Sequence, residues 1–89
     1  MKDPIIIVDD EKDNLDALSR LLRGEYEVTP VLSPFEAIRL IQKNEYHVII
    51  SDQRMPEMTG VEFLEKVKNV YWHGGAAPQV VSILQAYSA

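Results

Sequence analysis

Three aspartates directly follow two short apolar segments of this 89-residue chain. Segment 5–8 runs into Asp9 and Asp10, and segment 48–51 runs into Asp52. If the two segments are neighbouring buried strands that point the same way, the three carboxylates meet at one edge of a sheet. Carboxylates within a few ångströms of one another repel and raise one another's pKa values unless a cation or a proton is held among them. The pattern therefore indicates a charge cluster with a chemical role.

Such a cluster suits a magnesium ion and phosphoryl chemistry. Mg²⁺ prefers oxygen ligands in octahedral geometry and uses one or two carboxylates together with several waters. An aspartate beside the ion can attack a phosphoryl group as a nucleophile. We expect Asp52 to be the nucleophile, because it stands alone before an open loop, whereas Asp9 and Asp10 suit ligand or water-holding roles. One aspartate alone at a strand end would instead be read as a turn former or a helix cap.

Strands and helices that could position these residues alternate along the chain. The predicted order is a strand at 5–8, a helix capped by Asp13 or Asn14 and ending at Gly24, an edge strand at 25–31, a helix from Ser33 to Asn44, a strand at 46–51, a polar loop at 52–59, a helix from Gly60, a loop at 72–78 and a strand at 80–84. This alternation implies parallel strands with right-handed crossovers. Ligands of such sheets bind beyond the carboxyl ends of the strands, where all three aspartates are expected.

The three predicted helices each carry apolar residues at helical spacing. The expected buried faces are Leu15, Leu18, Leu21 and Leu22 in the first helix, Phe35, Ile38, Leu40 and Ile41 in the second, and Val61, Leu64, Val67 and Val70 in the third. These faces and the apolar strands supply enough aliphatic residues for one small domain spanning residues 1–89.

Composition narrows the possible functions. Fourteen acidic and nine basic residues give a net charge of -5, which opposes binding to phosphate backbones, so no direct nucleic-acid partner is expected. The chain has no cysteine, which excludes disulfides, thiolate metal sites and thiol nucleophiles. Apolar segments are far too short for a signal peptide or a membrane span, and the expectation is a cytoplasmic protein without membrane contact.

Segments 5–11 and 49–60 together resemble the receiver domain of two-component response regulators. The resemblance covers residues 1–71 most clearly, and it rests on the acidic pair, on Asp52, and on Met55, Pro56 and Gly60 at fixed offsets after it. It implies a flavodoxin-like, doubly wound parallel sheet. It also implies a phosphoacceptor module rather than an enzyme, with autocatalytic phosphoryl transfer at most.

The resemblance further implies which residues act and with which partner. A sensor histidine kinase would donate the phosphoryl group from a phosphohistidine to Asp52. Mg²⁺ would be held by Asp10, Asp52 and the backbone carbonyl of Arg54, with Asp9 acting through water. The Arg54 side chain either stacks over the phosphoryl group or is a solvated loop arginine. The sequence of residues 52–56 is similar to that of receiver domains attached to transcription-activator or cyclic-dinucleotide phosphodiesterase output domains.

The segment 72–89 departs from the family pattern. Receivers have a fifth strand ending in a lysine that contacts the phosphoryl group, and no lysine follows Leu84, so we expect an incomplete sheet with strand order 2-1-3-4. The family's switch hydroxyl position falls on Gln85, which is longer but can donate a hydrogen bond. Alternatively, this tail is unrelated to the family. An uncovered fourth-strand edge would favour a homodimer or an exchange of elements between two copies.

Two other functions compete with the phosphoacceptor interpretation. One is a truncated or degenerate receiver that acts as a phosphorylation-independent interaction or dimerisation module. The other is a Mg²⁺-dependent phosphohydrolase, which is disfavoured because Arg54 stands two residues after the nucleophile, where a general acid would be needed.

Overall fold

Four parallel strands form one sheet in the order β2-β1-β3-β4. The computed structural model describes residues 2–74 and 80–84, with side chains described up to residue 68. The elements are β1 (Asp3–Val8), α1 (Lys12–Leu22), β2 (Tyr26–Val31), α2 (Pro34–Lys43), β3 (Val48–Asp52), α3 (Gly60–Gly74) and β4 (Val80–Leu84). The predicted element order, the parallel pairing and the flavodoxin-like strand order are confirmed. Within the described residues, no helix combines the length and apolar character that a membrane span requires.

The register of the sheet sets where the central strands end. Val8 of β1 aligns with Val31 of β2 on one side and with Ser51 of β3 on the other. Strand β3 covers two residues less at its start than predicted and one more at its end, so that Asp52 is its last residue. Because β1 and β3 are adjacent and parallel, their carboxyl ends lie at the same edge of the sheet.

The central strand is buried on both of its faces. Ile6 and Val8 belong to a hydrophobic cluster with residues of α2 and α3, including Ile41 and Phe63. Ile5 and Ile7 point to the opposite face and are also buried, at 2% exposure or less. Burying one such isoleucine contributes roughly 1.5–3 kcal/mol, so β1 is a firm platform for the residues that follow it.

Helix α1 begins earlier than predicted, and the predicted caps at Asp13 and Asn14 are wrong. Its N-cap is Glu11, whose side chain makes no capping hydrogen bond. The predicted apolar face is also only partly correct, since Leu15 is buried whereas Leu21 is 75% exposed. Leu21 lies about 120° around the helix axis from Leu15, which is outside the stripe that faces the sheet.

Helix α2 has the predicted start but a different buried face. The Oγ of Ser33 accepts a hydrogen bond from the N–H of Phe35 at 3.2 Å, and Pro34 occupies the first turn. The Phe35 side chain, predicted to be buried, is half exposed. Ile41 is buried as predicted, and Ile38 and Leu40 pack partly buried against the hydrophobic cluster, but the buried face also includes Pro34 and Ala37, which were not predicted.

Helix α3 begins at Gly60 as predicted and extends to Gly74, so the predicted loop at 72–78 starts too early. Nothing in the sequence interrupts the helix before the glycine pair at 74–75. In the part of α3 whose side chains are described, up to residue 68, Phe63 and Val67 lie one helical turn apart and are buried. Val61, predicted to share this face, is half exposed, because it lies roughly 120° around the axis from Val67.

Candidate functional site

Asp9, Asp10 and Asp52 meet at the carboxyl edge of β1 and β3, and we call them the aspartate cluster. One carboxylate oxygen from each residue lies within 4.8 Å of the others. Asp9 and Asp10 follow β1 directly, and Asp52 ends the neighbouring strand, so the parallel register alone places them together. The juxtaposition expected from the sequence is therefore present in the structure.

Members of the aspartate cluster differ in their surroundings. Asp9 is only 4% exposed and is held from two directions, since its N–H donates to the carbonyl of Val31 at 3.1 Å and its Oδ1 accepts from the N–H of Glu11 at 2.9 Å. Asp10 is exposed and Asp52 is half-buried. The Asp9 carboxylate is thus held in one position by its surroundings, while Asp10 and Asp52 are accessible from solvent.

The proton affinity of Asp9 reflects this arrangement. Burial raises the pKa of Asp9 above its ordinary value, the hydrogen bond from the backbone of Glu11 lowers it, and the charges of Asp52 and Asp10 raise it. A hydrogen bond from the side chain of Asn14 acts against the rise. The net rise shows that this environment disfavours the negative charge of Asp9, an effect that a bound cation would offset.

The donor set fits a hard divalent cation. Three carboxylate oxygens within 4.8 Å of one another can contact one ion, and oxygen-only ligands with room for water suit Mg²⁺. The acidic residues that begin α1 are not members of the described group. Arg54, whose backbone carbonyl was expected to be a ligand, lies two residues after Asp52, and its side chain is exposed.

A short loop after Asp52 is tied down at several points, and we call residues 53–59 the acceptor loop. Met55 and Met58 are buried in the hydrophobic cluster, at 7% and 6% exposure. The N–H of Gly60 donates to the backbone carbonyl of Gln53 at 3.1 Å, and the N–H of Val61 donates to the Gln53 Oε1 at 3.2 Å. The two methionines are therefore packing residues that anchor the loop to the core.

Close packing against the acceptor loop explains the glycine at position 60. A Cβ atom on Gly60 would lie 2.8 Å from the carbonyl oxygen of Asp52 and 2.9 Å from the Oε1 of Gln53. The first of these neighbours is backbone and cannot move aside without moving Asp52. A side chain at Gly60 would therefore displace the residue expected to accept the phosphoryl group.

The sequence interpretation missed a capping box at the start of α3. The N–H of Thr59 donates to Glu62 Oε1 at 2.9 Å, and the N–H of Glu62 donates to Thr59 Oγ1 at 3.1 Å. Hydrogen bonds from the backbone and then the side chain of Thr59 lower the pKa of Glu62 below its ordinary value. The spacing Thr-x-x-Glu before an apolar helix is the signal that could have revealed it. The sequence interpretation also missed Gln53, whose carbonyl and Oε1 accept hydrogen bonds from the start of α3.

Gln85, expected at the switch position, lies outside the described residues. A family model described as the response regulator receiver domain matches residues 5–84. The chain belongs to the receiver domain family of response regulators. The resemblance inferred from the sequence is thereby confirmed.

Known relatives and structures agree with this family. The receiver domain is 41% identical over 80 residues to the hydrogenase transcriptional regulatory protein HoxA of Cupriavidus necator, a match that covers 90% of this chain and 15% of HoxA. Its fold is similar to that of the chemotaxis response regulator CheY4 of Vibrio cholerae, with a TM-score of 0.83, 29% identity and coverage of 100% of this chain and 72% of CheY4.

A third comparison shows the fold alone. The receiver domain matches a chain in the co-crystal structure of the Saccharomyces cerevisiae phosphotransfer protein Ypd1 and the receiver domain of Ssk1, with a TM-score of 0.84 and 22% identity. That match covers 99% of this chain and 66% of the other. The chain thus spans a small part of HoxA and about two thirds of the chains matched by structure.

Proposed function

We propose that this receiver domain is a phosphoacceptor module of two-component signal transduction. In this proposal Asp52 accepts a phosphoryl group from the phosphohistidine of a sensor histidine kinase, with Mg²⁺ bound at the aspartate cluster. The observation that carries the proposal is the convergence of three carboxylate oxygens within 4.8 Å at the carboxyl edge of the sheet. Membership of the receiver family supports the choice of phosphoryl chemistry.

Each member of the cluster has a distinct role in this proposal. Asp52 is half-buried at the end of β3, so one carboxylate oxygen can bind the ion while the other attacks phosphorus. Asp10 is exposed and would supply a second ligand to Mg²⁺. The backbone carbonyl of Arg54 would supply a third. Asp9, fixed by its hydrogen bond to Glu11, adds negative charge and orients a water.

Phosphoryl transfer then needs little else from the chain. A carboxylate oxygen of Asp52 forms a bond to phosphorus while the phosphorus–nitrogen bond of the phosphohistidine breaks, and the electron pair returns to the imidazole. Mg²⁺ held by the aspartate cluster would neutralise charge on the phosphoryl oxygens and on the surrounding carboxylates. The product is an aspartyl phosphate on the chain itself, which is why we assign signalling rather than enzymatic turnover.

We propose that a protein surface, rather than nucleic acid, reads the phosphorylated state. The net charge of -5 opposes direct contact with a phosphate backbone, and phosphorylation makes the charge more negative. HoxA is named a transcriptional regulatory protein, and this chain spans 15% of it. We also propose that two copies of the chain pair through β4, which is an edge strand among the described elements.

Incubation of the full chain with acetyl phosphate and Mg²⁺ tests the proposal by intact-mass spectrometry. We expect a mass gain of one phosphoryl group that requires Mg²⁺ and that Asp52→Asn abolishes. Glu57→Gln, which changes an exposed acid of the acceptor loop outside the cluster, is the matched control and should be phosphorylated like the unmodified chain. No gain in the unmodified chain would refute the proposal and favour a phosphorylation-independent interaction module. A gain that survives Asp52→Asn would refute Asp52 as the acceptor.

A further inference from the structure

Gln53 holds the start of the acceptor loop against the start of α3 through two different atoms. Its backbone carbonyl accepts from the N–H of Gly60 at 3.1 Å, and its side-chain Oε1 accepts from the N–H of Val61 at 3.2 Å. Gln53 stands between Asp52 and Arg54, the two residues of this segment that the proposed site uses. One side chain therefore links the helix to the segment that carries the acceptor.

Local capping of the helix does not account for this side-chain bond. The first N–H groups of a helix have no partner within it, and nearby residues normally supply one. Here Thr59 already accepts from Glu62, and Glu62 accepts from Thr59 in return. The acceptor for Val61 comes instead from a residue eight positions earlier, across the acceptor loop. This bond joins two parts of the structure rather than closing one turn.

Packing around Gly60 fixes the same segment from a second direction. The space that a Cβ on Gly60 would occupy is bounded by the Asp52 carbonyl, the Gln53 Oε1 and the Gln53 Cα, at 2.8, 2.9 and 3.1 Å. Gln53 is half-buried in this contact. The Asp52 carbonyl and Gln53 therefore lie close against Gly60, and a shift of Gln53 away from the helix would lengthen the bond from Val61.

We propose that Gln53 is a positioning residue for the acceptor site. By anchoring the backbone between Asp52 and Arg54 to the start of α3, Gln53 sets the direction of the Asp52 carboxylate and of the Arg54 carbonyl, and so sets the affinity for Mg²⁺. This inference rests on the proposed function, because the magnesium site is part of it. Residues that orient metal ligands without touching the metal typically change affinity about 10- to 100-fold when mutated, and one backbone bond survives here, so we expect about tenfold weaker binding.

Mg²⁺ titrations of the folded chain, followed by backbone amide shifts of Asp10 and Arg54 in NMR spectra at constant ionic strength, test the inference. Gln53→Met keeps the length of the side chain but removes the acceptor, and Gln53→Asn is too short to reach Val61. Both are expected to weaken Mg²⁺ binding by about tenfold. Gln53→Glu keeps an acceptor oxygen and should bind Mg²⁺ at least as tightly as the unmodified chain.

Thr59→Val is the matched control, since it removes a side-chain hydrogen bond at the same end of α3 without touching Gln53. It should lower the melting temperature yet leave the Mg²⁺ dissociation constant within about twofold. Unchanged affinity in both Gln53→Met and Gln53→Asn, equal weakening by Thr59→Val, or equal weakening by Gln53→Glu would overturn the positioning role alone. Absence of Mg²⁺ binding in the unmodified chain would overturn the proposed function, and the positioning role with it.

Discussion

Adding Mg²⁺ is expected to stabilise the folded chain by relieving repulsion within the aspartate cluster. Its oxygens lie within 4.8 Å of one another, and two unit charges at that distance repel by about 0.9 kcal/mol in water and by about 3.5 kcal/mol at an effective dielectric constant of about 20. Asp9 is buried and Asp10 is exposed, so the three pairs fall between these limits. The metal-free native state thus carries repulsion amounting to several kcal/mol in total.

Binding to the native state alone converts this relief into a measurable shift. At a Mg²⁺ concentration ten times the dissociation constant, the free energy of unfolding rises by about 1.4 kcal/mol. For a domain of this size, that change raises the melting temperature by roughly 6–11 °C. Thermal melts followed by circular dichroism at neutral pH, with KCl added to matched ionic strength as the reference, measure the effect.

Asp9→Asn separates this mechanism from general screening of the net charge. Asparagine keeps an Oδ1 acceptor for the N–H of Glu11 but removes the charge. We expect the variant to melt above the unmodified chain in metal-free buffer and to respond less to Mg²⁺. Glu57→Gln should leave the response to Mg²⁺ unchanged. The reasoning would be refuted if KCl matched the effect of Mg²⁺, or if Asp9→Asn and the unmodified chain shifted equally.

Three further predictions concern pH, packing and association. Because the pKa of Asp9 is raised in the folded state, the native chain binds protons more readily than the unfolded one, and metal-free stability should fall as pH rises from about 4 through the raised pKa. The difference in unfolding free energy between Asp9→Asn and the unmodified chain, measured by urea denaturation, should therefore grow with pH and then level off; a constant difference would contradict this. Gly60→Ala should cost about 1–3 kcal/mol and reduce the Mg²⁺ shift, whereas Gly24→Ala, with nothing within 4 Å, should do neither in the same melts. Sedimentation equilibrium at micromolar concentration should show a dimer, and a single monomeric species would count against pairing through β4.

The aspartate cluster could be predicted because it depends on only two facts that the sequence carries. Each apolar segment is too short and too β-branched for a helix, and parallel neighbours end at one edge, so Asp9 and Asp52 had to approach each other. Residue spacing in the loop then identified the family. Gln85 stays a prediction.

Details of the helices were less predictable, for physical reasons. Periodicity marks an apolar stripe, but the neighbouring elements decide its width and direction, which is why Leu21, Phe35 and Val61 are exposed. The start of α1 depends on the carboxylate of Asp9, which the sequence analysis had assigned wholly to the site. The reach of Gln53 to Val61 depends on how the acceptor loop closes, and no local pattern encodes that distance.

Because β1 pairs with β3, the aspartate cluster can form only when the two strands are in their native register. Sliding β3 by one residue against β1 would move Asp52 about 3.3 Å along the sheet and turn its side chain to the other face. The same slip would turn Ile49, fully buried in the native pairing, out of the hydrophobic cluster. A misaligned sheet would lose its core and the aspartate cluster together, so under the proposed function only properly folded molecules would bind the cation and accept a phosphoryl group.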